Sequence, residues 1–120
     1  MRGERAQAER RGRHAEALAA WYLRLHCWRI LARRVKTARG EVDLVARRFG
    51  TVCFVEVKWR RNAADLDHAI DAYRLKRVAA AAEIVAPRFA CHGEDIRIDV
   101  LLLTPWHWPR HIKNAWQPGA

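Results

Sequence analysis

Asp43, Glu56 and Lys58 sit inside two apolar runs, Gly40-Glu41-Val42-Asp43-Leu44-Val45 and Phe54-Val55-Glu56-Val57-Lys58, where each charge needs a partner. Valine, leucine and phenylalanine dominate both runs, the composition of buried β-strands. Arg47-Arg48-Phe49-Gly50-Thr51 between them is short, polar and glycine-containing, which predicts a hairpin connection. Alternate side chains of a strand share a face, so Val52, Phe54, Glu56 and Lys58 align and Glu56 neighbours Lys58. Asp43 is expected across from Glu56 or diagonal to it, within cross-strand reach. Two carboxylates that close repel unless a proton, a cation or a metal ion lies between them. Mg²⁺ suits such a pair, because it takes one or two protein carboxylates and fills its remaining positions with water and phosphate oxygens. Lys58 would flank the metal, stabilising charge on a scissile phosphate or orienting and deprotonating the attacking water. The competing reading is an ion pair at a sheet edge, with Lys58 neutralising Glu56 or Asp43. The combination of Asp, Glu-x-Lys and an upstream helical Glu16 on apolar elements favours the metal site.

The elements that must position these residues follow from periodicity. Met1 to about Arg13 is arginine-rich and reads as a basic arm or a helix start, with residues 14–120 forming one domain. Ala15, Leu18, Ala19, Tyr22 and Leu25 recur at helical spacing and define one apolar stripe, with Glu16 at its edge. There Glu16 either points toward the sheet as a ligand or is an exposed glutamate favoured by the helix dipole. Strands are expected over Trp28–Val35, Glu41–Ala46 and Thr51–Lys58 as an antiparallel meander. Asn62 or Asp65 would cap a second helix with Leu66, Ala69, Ile70 and Tyr73 on its apolar side, and Pro87 would end it. A fourth strand over Ile96–Leu103 would join in parallel after the helical crossover. Pro105-Trp106-His107-Trp108-Pro109 reads as a loop and His111–Trp116 as a short edge strand. Asp99 is expected to organise its surroundings by pairing with Arg97 or another basic residue, with direct metal ligation as the alternative.

Composition narrows the partners. The 120 residues carry 23 basic and 13 acidic side chains, a formal charge of +10, and 51% are hydrophobic. Such a chain forms a small globular domain and prefers polyanions, nucleic acid before anionic membrane. No run approaches the roughly 18 apolar residues of a membrane span, and the amino terminus lacks an apolar leader, so a cytoplasmic protein with no membrane partner is expected. Cys27, Cys53 and Cys91 have no metal-ligand spacing and are expected as buried free thiols. Trp21 and Trp28 are expected in or beside the core.

The runs quoted above, together with Arg97-Ile98-Asp99-Val100 and His111-Ile112-Lys113-Asn114-Ala115-Trp116, resemble in order and spacing the YraN-like family of uncharacterised bacterial proteins over nearly the whole chain. That family is similar to PD-(D/E)XK endonucleases and archaeal Holliday-junction resolvases. The resemblance implies an α/β, restriction-endonuclease-like αβββαβ core, a mixed central sheet flanked by helices. It places Asp43 at the motif's aspartate, Glu56 at its second acid, Lys58 at its lysine and Glu16 at the acid of the first helix. Two departures stand out. His14-Ala15-Glu16 lacks the glycine that the family places two residues before this glutamate. Tyr73-Arg74-Leu75-Lys76-Arg77 stands where relatives carry a lysine or glutamine, leaving Arg74 or Lys76 as the substitute.

The function expected is that of a Mg²⁺- or Mn²⁺-dependent endonuclease acting on DNA, including branched or junction DNA. Asp43, Glu56 and Glu16 are its candidate metal ligands and Lys58 is the fourth catalytic residue. Arg47, Arg48, Arg60 and Arg61 are candidate phosphate contacts, as are Arg74, Lys76 and Arg77 on the second helix. Trp59 either stacks on an unpaired base or covers the core. The alternatives are a non-catalytic nucleic-acid-binding adaptor that retains the nuclease fold, and a structural protein using its basic face on ribosomal RNA or acidic lipid. Monomer and homodimer are both compatible with the sequence.

Overall fold

The computed structural model describes residues 2–61 and 72–116, with side chains described from Gly12 onward. Asn62, Asp65, Leu66, Ala69 and Ile70, named above for the second helix, lie outside the described residues. Helix α1 (Arg2–Leu25) is continuous through the basic segment. It buries Ala15, Ala19, Ala20 and Leu23, a set linked by steps of three and four residues (Ala15 to Ala19, Ala19 and Ala20 to Leu23) along one face. The expected stripe is therefore rotated. Leu18 and Leu25 are more than half exposed, and so is Trp21, because small alanines let the helix approach the sheet where leucines would hold it off. A Schellman turn ends α1, with Cys27 N–H on the Arg24 carbonyl at 3.1 Å and Trp28 N–H on that of Leu23 at 3.0 Å. Cys27 takes the left-handed conformation usually given to glycine, φ 69°.

The chain then builds β1 (Arg29–Lys36), β2 (Glu41–Arg48) and β3 (Thr51–Trp59), crosses through α2 (Ala72–Phe89), and returns as β4 (Asp95–Leu103) and β5 (Arg110–Ile112). The five strands lie in the order β1-β2-β3-β4-β5. β1, β2 and β3 form the expected antiparallel meander, β4 joins β3 in parallel, and β5 pairs antiparallel to β4. This is a mixed α/β architecture consistent with an αβββαβ core, with one helix on each side of the sheet.

The β2–β3 connection is tighter than its composition suggests. Arg47 and Arg48 belong to β2 and Thr51 to β3, leaving Phe49 and Gly50 as a two-residue turn. Both have positive φ, 48° and 79°, the conformation that matches the twist of the flanking strands. α2 continues two residues past Pro87. A proline so near the end removes a single hydrogen bond in the last turn, which falls short of breaking the helix.

Two apolar layers sandwich the sheet. Val52 and Phe54 of β3 pack with Ile98, Val100 and Leu102 of β4 under Leu75, Val78, Ala82 and Val85 of α2. Cys53, Val55, Leu44, Leu101 and Trp28 form the opposite layer under α1. Full burial of a side chain such as Phe54 or Leu44 contributes roughly 1.5–3 kcal/mol. Tyr73 lies outside these layers, 68% exposed, since the inward face of α2 runs through Leu75 and Val78. All three cysteines are free, but only Cys53 is buried; Cys27 and Cys91 sit in exposed turns beyond helix ends.

Candidate active site

Asp43 and Glu56 are brought together where β2 and β3 separate. The ladder runs from Arg48↔Thr51 to Leu44↔Val55, so one further step would set Asp43 opposite Glu56. At that step the Asp43 side chain intervenes, and its Oδ2 accepts the Val57 N–H at 2.8 Å. Inside–outside alternation also fails here, since Val42 joins the layer under α2 while Leu44, two residues on, joins the layer under α1. Gly40 supports the local packing. A Cβ there would stand 2.8 Å from the Arg77 carbonyl oxygen, so only glycine lets the β1–β2 turn meet α2 this closely.

Glu56 and Lys58 project from β3 on the same side as Val52 and Phe54, and both side chains are about 95% buried. Lys58 Nζ lies 2.8 Å from Glu56 Oε1, yet among the described residues it meets no acceptor at hydrogen-bonding angles. Among the described residues a poorly directed ion pair leaves this ammonium group with unused donor capacity. Arg74 Nη2 reaches to 3.5 Å from the same Glu56 oxygen. Glu41, Asp43, Glu56, Arg74, Arg77 and Val78 line a small open cavity of about 190 Å³.

Burial lifts the Asp43 carboxyl to about 7, with the Glu56 charge adding to the effect and the Val57 N–H opposing it; Glu16 and Glu41 add smaller repulsions. Burial and the nearby Glu56 thus both disfavour the charged form of Asp43, while Arg74 and Lys58 lie against Glu56. Among the described residues no three His, Cys, Asp or Glu side chains converge to enclose a metal ion by themselves. Mg²⁺ requires no such cage, and a pair of oxygen donors beside open solvent meets its usual demand. Asp43 and Glu56 fit it, because a divalent cation would favour the charged form of Asp43 against burial and would relieve its repulsion with Glu56.

Glu16 approaches from α1 and is ion-paired with Arg34 of β1, which itself stands within the field of Glu41 and Asp43. Arg34 adopts φ 53°, and its reach to Glu16 was not visible in the sequence. Of the two candidates on the second helix, Arg74 faces the carboxylates, whereas Lys76 lines a broader groove with Arg39, Ala79 and Glu83. Arg77, adjoining the cavity, joins Arg74. Arg60 and Arg61 follow β3 directly at the Lys58 end of the sheet. Arg47 and Arg48 lie at the opposite end of β2 and are engaged there, Arg47 by Glu94 at 2.9 Å and the Phe89 carbonyl at 2.7 Å, Arg48 by the His26 carbonyl at 2.8 Å and the Trp28 ring. The half-buried Trp59 packs against the core layer under α1.

Asp99 is fully buried one strand away and turned to the α1 side, so it is no ligand of the Asp43–Glu56 cavity. Arg97 grips both its oxygens at 2.9 and 2.8 Å, His111 Nε2 lies 2.8 Å from Oδ2, and the Asn114 N–H donates to Oδ1 at 2.9 Å. Burial alone would raise this carboxyl; the His111, Arg97 and Asn114 contacts outweigh it and hold it at about 2. The expected pairing with Arg97 is present. His111 was missed, although it becomes legible once β5 is paired, because its partner Leu101 shares a strand face with Asp99.

A model of the family described as "Uncharacterised protein family UPF0102" matches residues 15–103, from the last turns of α1 to the end of β4. The chain is 66% identical to a UPF0102 protein of Sphingopyxis alaskensis over 114 residues, covering 95% of this chain and 98% of the relative. It is 64% identical to one of Erythrobacter litoralis over 115 residues, covering 96% and 99%. A third, from Mesorhizobium japonicum, is 46% identical over 112 residues, covering 92% and 90%. The matched segment contains Glu16, Asp43, Glu56 and Lys58, and the chain belongs to the UPF0102, or YraN-like, family.

Proposed function

We propose that this protein is a metal-dependent endonuclease that hydrolyses phosphodiester bonds in DNA, with branched or junction DNA the first substrates to examine. The observation that carries the reading is the Asp43–Glu56 pair, mutually repelling and lining a small open cavity, beside a buried Lys58 whose ammonium group meets no well-directed acceptor among the described residues. Asp43 and Glu56 hold Mg²⁺ or Mn²⁺, and Glu16 contributes from α1 directly or through water. The bound ion would lower the pKa of its water and offset charge at phosphorus. The Val57 N–H fixes the Asp43 carboxylate, leaving Oδ1 for the cavity. Lys58 donates toward the phosphate or the attacking water, and Arg74, Arg77, Arg60 and Arg61 hold the flanking backbone.

A second reading is supported by the absence, among the described residues, of a three-ligand cluster and by the closeness of Lys58 to Glu56. It makes the protein a nucleic-acid-binding adaptor with the nuclease fold. Incubating the protein and its Asp43→Asn and Glu56→Gln variants with labelled linear, flapped, junction and single-stranded substrates in Mg²⁺ or Mn²⁺ separates the two. Cleavage lost in both variants supports the enzyme. Binding without cleavage in any metal supports the adaptor, and cleavage undiminished in both variants refutes the site assignment.

A further inference from the structure

Leu103-Thr104-Pro105-Trp106-His107-Trp108-Pro109-Arg110 leads from β4 into β5 at the end of the sheet that carries Lys58. Trp106 is completely exposed and Trp108 is 78% exposed, although an indole is among the side chains with most to gain from burial. The backbone keeps Trp106 outward in the left-handed region, φ 68°, where a bulky residue is disfavoured. Prolines bracket the segment, and it is tied to the chain leaving β3, with the Arg60 N–H on the Leu103 carbonyl at 2.9 Å and Thr104 Oγ1 3.4 Å from the Arg61 carbonyl. Lys58 pairs with Leu102, and Leu102 with Arg110, so the exposed Arg110 stands in the same row, two strands and roughly 10 Å from Lys58.

We propose that Trp106 and Trp108 form a stacking platform for unpaired bases, with Arg110 holding the adjoining phosphates, so that the substrate class is nucleic acid with single-stranded character. This rests on the reading of the Lys58 end of the sheet as a phosphodiesterase site. The segment offers two π-faces with no aliphatic side chain between them, which suits flat nucleobases better than lipid tails or an apolar helix. Neighbouring cations supply the attraction for the backbone. A blunt duplex keeps all but its two terminal base faces stacked internally and so offers the indoles little beyond its ends. A strand with unpaired bases can lay one on each ring while the exposed Arg110 holds an adjoining phosphate.

Affinities measured in EDTA, where no cleavage occurs, test this. The probes are an oligothymidylate of about 20 nucleotides, an abasic oligomer of the same length and charge, and a blunt duplex. The intact chain should prefer oligothymidylate to the abasic oligomer by about tenfold or more, the range expected of one or two stacked bases. The Trp106→Ala/Trp108→Ala protein should lose that preference and keep its duplex affinity within about twofold, because backbone charge is untouched. The Trp106→Phe/Trp108→Phe protein, which retains an aromatic face, should keep most of it. Equal binding of thymidylate and abasic oligomers by the intact chain overturns the platform and leaves the nuclease reading standing. No binding of any nucleic acid at low salt overturns both. Equal loss on all three probes in the alanine protein, or tryptophan-dependent pelleting with phosphatidylserine vesicles while oligothymidylate binding is unchanged, also refutes it.

Discussion

Replacing Asp43 by asparagine should stabilise the metal-free protein, and increasingly so as the pH rises. The Asp43 carboxyl ionises at about 7 in the folded chain against 3.8 unperturbed, chiefly through burial and then through Glu56. Between those values the folded state retains a proton that the unfolded chain has released. Stability from this group is therefore complete below about pH 4 and is lost as the pH climbs through 7. The full loss is about 4 kcal/mol, of which roughly 3 kcal/mol develops between pH 5 and pH 8. Asparagine keeps an oxygen for the Val57 N–H and has no charge to bury. Any fixed cost of the substitution is independent of pH, so the slope is the informative quantity. Urea denaturation in EDTA at several pH values should show the advantage of Asp43→Asn over the original chain growing by about 3 kcal/mol, or about 10 °C in melting temperature. A flat difference, or one that shrinks as the pH rises, would refute the account of the carboxylate pair.

Gly40→Ala should cost roughly 1–3 kcal/mol by driving a methyl group into the Arg77 carbonyl 2.8 Å away, measured by chemical denaturation; a neutral result would show that the turn can move off α2. Lys58→Met leaves the buried Glu56 charge without its nearest cation and should cost about 3 kcal/mol, while Glu56→Gln/Lys58→Met should recover at least half of that; a double-mutant cycle with no coupling would contradict the pairing. Asp99→Asn should cost about 3 kcal/mol at neutral pH, because Arg97 and His111 lose their shared carboxylate. Since the Asp99 carboxyl is lowered to about 2 from 3.8, its stabilisation is present above about pH 4 and fades toward pH 2, so the two proteins should converge on acidification.

The three-stranded meander was legible because its signal is local: alternation in Val52, Phe54, Glu56 and Lys58 sets the face and short connections set the antiparallel neighbours. The edge strand, by contrast, is Arg110–Ile112 and ends before the expected Trp116. The helix stripe was less legible. Hydropathy ranks Leu18 and Leu25 above Ala20, whereas close helix–sheet contact selects small side chains, a tertiary demand that one segment does not display. Phe49 was placed in a longer connection because positive φ at a phenylalanine has no signature in sequence. The nearness of Asp43 to Glu56 followed from hairpin geometry, but the side chain's capture of the Val57 N–H, and with it the local failure of alternation, depends on the strands separating. Charge alone groups Arg47 and Arg48 with the basic surface; their engagement by Glu94 and Trp28 depends on segments distant in sequence. Arg74 and Lys76 were indistinguishable until α2 was docked, and their different faces then separated them.

Cleavage of labelled junction and single-stranded DNA by the purified protein in Mg²⁺ or Mn²⁺, compared with Asp43→Asn, tests the central claim most directly. The account predicts metal-dependent product from the original chain and a rate at least ~100-fold lower in the variant, since loss of even a group that only supports a ligand costs about 10–100-fold. Equal rates in the two proteins would contradict it.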